Sequence, residues 1–178
     1  MSTFSSHIAP VALLGLFGCG AATSQSAPAH PPALGPEWAP LQALAGSWSG
    51  TGGDAGHPSH GGFTIAPDLG GKVLVRRGTN DAGTAHHEDL TLIYHAPTGD
   101  LRASYFDNEG HVIQYAVTSS PDARAIVFLG DEVPGAPRFR LSYAVVADDT
   151  LSVTFEVAPP GATQFQTYIK GEVHRTGG

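Results

Sequence analysis

The histidines are the first residues to test for chemistry. His57-Pro58-Ser59-His60 and His86-His87 set imidazoles at short spacing, which is the raw material of a metal site. Such a site needs three or four ligands on a firm scaffold with second-shell partners. His57 and His60 fall in a Gly-rich stretch that reads as a loop, and His86 and His87 point to opposite faces of a strand. The expectation is therefore solvated loop histidines and no metal site. Glu88 shares its parity with Leu90, Leu92 and Tyr94, which predicts an inward carboxylate, and His86 follows the same parity. A buried carboxylate must be paired or protonated, and Arg76 or Arg77 on the preceding strand can supply the partner across a hairpin. Two readings of this cluster stay open: a structural ion pair near a rim, or a device that reads a ligand's polar head.

Tyr94, Tyr105, Tyr115 and Tyr143 each share a face with apolar neighbours on four different candidate strands. In a filled interior they are core residues. In a hollow one they line a cavity that offers ring surface and hydrogen bonds together. No G-x-S-x-G, H-E-x-x-H or phosphate-cradling glycine loop stands in the right surroundings, so no catalytic residue is assigned and the balance leans away from an enzyme.

The single cysteine, Cys19, closes the apolar run Ile8 to Gly18, which is shorter than the roughly 20 residues a spanning helix needs. Its length and position are those of a signal peptide's apolar region. Leu16-Phe17-Gly18-Cys19 resembles the bacterial lipobox. That resemblance implies a signal peptide over residues 1–18, cleavage before Cys19 and lipidation of its sulfur and new amino group. Residues 19–36, rich in Ala, Ser and Pro, are expected to be a disordered tether. Gly20 is not the Asp that signals inner-membrane retention. The expected location is therefore the cell envelope, at an outer membrane and facing the periplasm.

These residues need a scaffold, and composition narrows it. The chain of 178 residues carries 23 Gly, 14 Pro and one Met, a bias towards strands and turns rather than long helices. Nine Lys and Arg against 16 Asp and Glu, scattered without a basic patch, argue against nucleic acid as a partner. With one thiol no internal disulfide can form, so the domain expected over 37–176 must hold by packing. A helix is predicted over Glu37 to Ala45, where Trp38, Leu41 and Leu44 recur every third residue before Gly46.

From Gly46 onward the period becomes two. Strands are predicted at 46–53, 62–67, 72–78, 86–95, 101–106, 111–118, 124–129, 137–146, 150–157 and 164–175, separated by turns such as Asn80-Asp81-Ala82-Gly83 and Asp107-Asn108-Glu109-Gly110. Phe139, Leu141, Tyr143 and Val145 share one face, as do Leu151, Val153, Phe155 and Val157. One dry and one wet face on short, hairpin-linked strands predict an all-β, antiparallel up-and-down barrel.

Leu44-Ala45-Gly46-Ser47-Trp48, following a short helix and opening the first strand, resembles the G-x-W signature of lipocalin-like (calycin) barrels. His87-Glu88-Asp89-Leu90, Tyr94 to Gly99, Tyr105-Phe106-Asp107 and the run Arg138 to Arg175 are similar to uncharacterised bacterial lipocalin-like proteins related to nitrobindin-type barrels. The resemblance spans most of 38–175. It implies that Gly46 and Trp48 are structural, with the Trp48 ring closing one end of the barrel.

Nitrobindin-type barrels bind haem through a histidine near the chain's end. Here His174 alternates onto the polar face, while the expected ligand position falls among Gln166, Thr167 and Tyr168. The leading expectation is a membrane-tethered, non-enzymatic barrel holding a small hydrophobic or amphipathic ligand, with no cofactor. The site residues are His86, Glu88, Arg76, Tyr94, Tyr105, Tyr115 and Tyr143. The alternatives are a haem enzyme acting on reactive nitrogen species and a structural envelope lipoprotein that binds a protein partner.

Overall fold

The computed structural model describes residues 34–54 and 57–177, and side chains outside 53–58. The signal peptide, Cys19 and nearly all of the tether therefore lie outside the described residues. Ten strands follow in order: β1 (Gly46–Asp54), β2 (His57–Asp68), β3 (Val73–Ala82), β4 (Ala85–His95), β5 (Leu101–Asp107), β6 (Val112–Ser119), β7 (Ala125–Gly130), β8 (Arg138–Ala147), β9 (Thr150–Ala158) and β10 (Gln166–Thr176). Each pairs antiparallel with the next, and β1 pairs with β10 through Ser47, Trp48 and Ser49, so the sheet closes into a barrel. Closure leaves most of the sheet without an edge, which suits a domain lacking disulfides.

The N-terminal helix is a 3₁₀ helix, Pro36–Leu44, with Pro40 inside it. Spacing of three is the 3₁₀ period, so Trp38, Leu41 and Leu44 align on one edge. All three are buried and cap one end of the barrel. Trp48 donates from Nε1 to the Leu44 carbonyl at 3.0 Å, and Trp38 to that of Gly71 at 2.9 Å. Arg175 donates to the Ala45 carbonyl at 2.6 Å, with its guanidinium 4.2 Å from the Trp48 ring centre. Gly46, at φ 108°, makes the turn from helix into β1 that a side chain would strain.

Two boundaries differ from expectation by more than two residues. The stretch from His57 to Gly61 is strand rather than loop, and β3 runs four residues further, through Thr79 to Ala82, before a turn at Gly83. The glycines of β1 and β2 are therefore close-approach positions. A Cβ at Gly50 would collide with the Glu172 carbonyl, and one at Gly62 with that of Trp48.

The inward faces of β8 and β9 are those expected, with Tyr143 and Leu151 buried in the core. On β4 the parity is the opposite of expectation. Asp89, Thr91 and Ile93 point into the barrel, whereas Glu88 (62% side-chain exposure), Leu92 and Tyr94 lie on its outer wall. Ile93 and the ion pair described next decide that orientation.

Candidate functional site

Arg76, on β3, sits inside the barrel with its side chain 13% exposed. Its Nη1 donates to Asp89 Oδ1, its Nε donates to the Tyr143 hydroxyl at 3.0 Å, and its guanidinium lies 4.7 Å from the Phe63 ring centre. Burial works against the charge, but the Tyr143 oxygen and the Asp89 carboxylate outweigh it, and the guanidinium pKa ends above its ordinary value. Gly78 makes room for this pair, since a Cβ there would collide with the Asp89 carboxylate and lie 2.6 Å from Arg76 Nη1. The partner of Arg76 is therefore Asp89 and not Glu88.

Three of the four expected tyrosines converge here. Tyr105, Tyr115, Phe128, Tyr143 and Phe63 form an edge-to-face chain with successive ring centres 6.4, 6.0, 5.9 and 5.5 Å apart. Tyr94 does not join them, because it faces out from β4. The Tyr105 hydroxyl donates to Asp107 at 3.2 Å and lies 3.0 Å from His87 Nε2. Burial raises the Asp107 carboxyl, but the backbone N–H and ring of His111 more than offset it, leaving the pKa below its usual value. Burial also pushes the Tyr105, Tyr115 and Tyr143 phenols up, so all three remain proton donors across the physiological range.

The interior changes character along the barrel. At the helix end Trp48, Ile65, Leu74, Ile93, Ile126 and Leu151 are all buried. At the opposite end the inward residues Phe139, Leu141, Val153, Phe155 and Val157 are only half-buried. Phe139 and Phe155 stack at 5.9 Å, and Ile169, opposite Phe155 on β10, is 51% exposed. Gly171 stands opposite inward Val153, and a Cβ there would meet nothing within 4 Å. The inward face is thus fully buried at the helix end and part-exposed at the other, with the Arg76 group between.

His86 and Glu88 belong to a polar row on the outer wall. His86 Nδ1 lies 2.6 Å from Asp81, its Nε2 lies 3.1 Å from Glu88, and His60 Nε2 is 3.7 Å from Asp81. These hydrogen bonds, that to Asp81 first, raise the His86 pKa. Among the described residues no three potential metal-binding side chains converge on a point. A shallow hollow of about 610 Å³ lies beside this row on the outside of β1–β3, over Gly62. His174 also faces outward and touches the Thr150 hydroxyl at 3.2 Å.

Sequence reasoning missed Asp89, Thr91 and Arg175. Asp89 and Thr91 stand on the parity of Ile93, the signal that could have identified them as inward. No protein-family model and no curated protein matches the chain. The architecture itself, a closed ten-stranded antiparallel barrel behind a short N-terminal helix, is consistent with a lipocalin-like, calycin-type barrel.

Proposed function

We propose that this protein is a membrane-tethered, non-enzymatic barrel that binds a small hydrophobic or amphipathic ligand in the open half of its interior. The observation that carries the reading is the set of inward apolar side chains on β8, β9 and β10 left part-exposed above a polar floor. Pockets for small ligands have this make-up, mostly apolar with a few placed polar groups. In a purely structural barrel those positions would be filled.

A neutral apolar dye, N-phenyl-1-naphthylamine, should bind with saturable fluorescence enhancement at one molecule per chain. Gly171→Phe projects a ring from a position where a Cβ meets nothing within 4 Å. It should abolish the enhancement while the unfolding free energy stays within about 0.5 kcal/mol. No saturable enhancement, or full enhancement in the variant, would sink the reading.

The tether rests on Cys19. Produced as the full chain in a two-membrane bacterium, the protein should fractionate with membranes, and Cys19→Ser should move it to the soluble periplasmic fraction. A variant that stays membrane-bound refutes lipid anchoring.

One observation favours the second reading, a partner-binding envelope protein. The outer wall of β4–β6 carries Leu90, Leu92, Phe106 and Val112, with Val112 62% exposed. That reading predicts no dye binding and a partner lost on Phe106→Asp. The haem alternative draws no support from His174, which faces away from the interior.

A further inference from the structure

Buried polar atoms in folded proteins are almost always hydrogen-bonded. Among the described residues no side-chain nitrogen or oxygen is both buried and without a partner. Yet three inward donors in the middle of the barrel, and one acceptor, Oδ2 of Asp89, make no hydrogen bond to the described protein atoms. The donors are the Tyr115 hydroxyl, the Thr91 hydroxyl and Nη2 of Arg76, whose Nε and Nη1 are taken by Tyr143 and Asp89. The residues bearing the two hydroxyls are only 2% and 3% exposed. Both facts hold together only if these atoms border space inside the barrel that water can reach.

The three groups are neighbours. Thr91 pairs with Arg76 on one side and with Tyr105 on the other, and the Tyr105 and Tyr115 rings meet edge to face. Together they form a set of hydrogen-bond donors at the floor of the open half. Asp89 accepts from Arg76 through Oδ1, so the guanidinium charge is already neutralised. A second carboxylate on Nη2 would stand a few ångströms from Asp89, where repulsion is poorly screened. An uncharged oxygen acceptor meets the same donors without that opposition.

We propose that the ligand carries an uncharged carbonyl, as in an ester, amide or ketone. Its oxygen takes hydrogen bonds from the donor set of Arg76, Tyr115 and Thr91, and its apolar remainder runs along Phe139, Leu141 and Phe155 to the open end. The inference rests on the reading of the barrel as an interior binder and adds the chemistry of the head group.

Three probes of equal chain length test it by displacement of N-phenyl-1-naphthylamine from the full chain: methyl octanoate, octanoate and octane. Methyl octanoate should bind about 10-fold more tightly than either of the others at pH 7.5. Tyr115→Phe, which removes one hydroxyl and no protein hydrogen bond, should weaken methyl octanoate about 5–10-fold and leave octane unchanged. Thr91→Val should act in the same direction. Octanoate binding as tightly as the ester overturns the uncharged-head assignment. Octane binding as tightly as the ester, or a Tyr115→Phe variant that binds the ester normally, overturns head-group recognition but leaves the interior reading standing. If none of the three displaces the dye, both fall.

Discussion

Asp89→Ala should destabilise the protein by about 3–5 kcal/mol, read as a lower midpoint in urea unfolding followed by tryptophan fluorescence. The carboxylate is the counter-charge to a guanidinium held inside the barrel among Phe63, Tyr143 and Tyr115. Removing it leaves Arg76 buried without its ion-pair partner, and that exceeds the value of the bond itself. Against a net stability of about 5–15 kcal/mol for a domain, the loss takes away much of what holds the barrel together. The double variant Arg76→Met/Asp89→Leu removes both charges and should recover most of the loss, because apolar side chains of similar size can replace a buried pair at little cost. A single variant as stable as the parent would mean that water already solvates Arg76 freely. Glu88→Ala is the matching control. Its carboxylate stands on the outer wall beside exposed His86, so its effect should stay within about 0.5 kcal/mol.

The second large effect belongs to the opposite end. Trp48→Ala should cost about 3–5 kcal/mol. It opens a cavity beneath the 3₁₀ helix, strips the Leu44 carbonyl of its donor and leaves the Arg175 guanidinium without the ring on which it lies. Trp48→Phe keeps most of the ring contact and should lose only about 1–2 kcal/mol, chiefly the hydrogen bond to Leu44. Equal losses in the two variants would show that the plug works by that hydrogen bond and not by filled volume. Urea midpoints at constant m-value distinguish these outcomes.

Both predictions turn on residues of different legibility. Trp48 could be read directly from the sequence. A tryptophan two residues past a glycine, after an apolar triplet at spacing three, has one sensible place in a barrel, and the structure puts it there. Asp89 could not. On β4 one parity offers Leu90, Leu92 and Tyr94, and the other Asp89, Thr91 and Ile93. By hydrophobicity alone the first set belongs inside. A shift of one residue exchanges the faces of an entire strand, so this single choice put three expected site residues, His86, Glu88 and Tyr94, on the outer wall. The tie is broken by contacts no local pattern contains: Asp89 reaching Arg76 across the hairpin, and Gly78 leaving it room. The outer wall can carry Leu90 and Phe106 because apolar residues on a surface cost little.

The histidines followed the same logic in reverse. His60 and His86 were expected apart, one in a loop and one facing inward. They stand on either side of Asp81 because β2 and β3 extend further than their glycines and turn residues suggested.

By itself the sequence determined the all-β class, the ten alternating strands, the inward faces of β8 and β9 and the helical plug built around Trp48. Each rests on periodicity or on chemistry within a few residues, so each could be read along the chain. Only the tertiary structure decided that Asp89 answers Arg76 and that Tyr94 and His86 stand outside. It alone also decided that the inward face is fully buried at one end and part-exposed at the other. Those facts depend on which strands meet across the barrel and on how much volume their side chains leave unfilled, and neither quantity exists until the sheet closes.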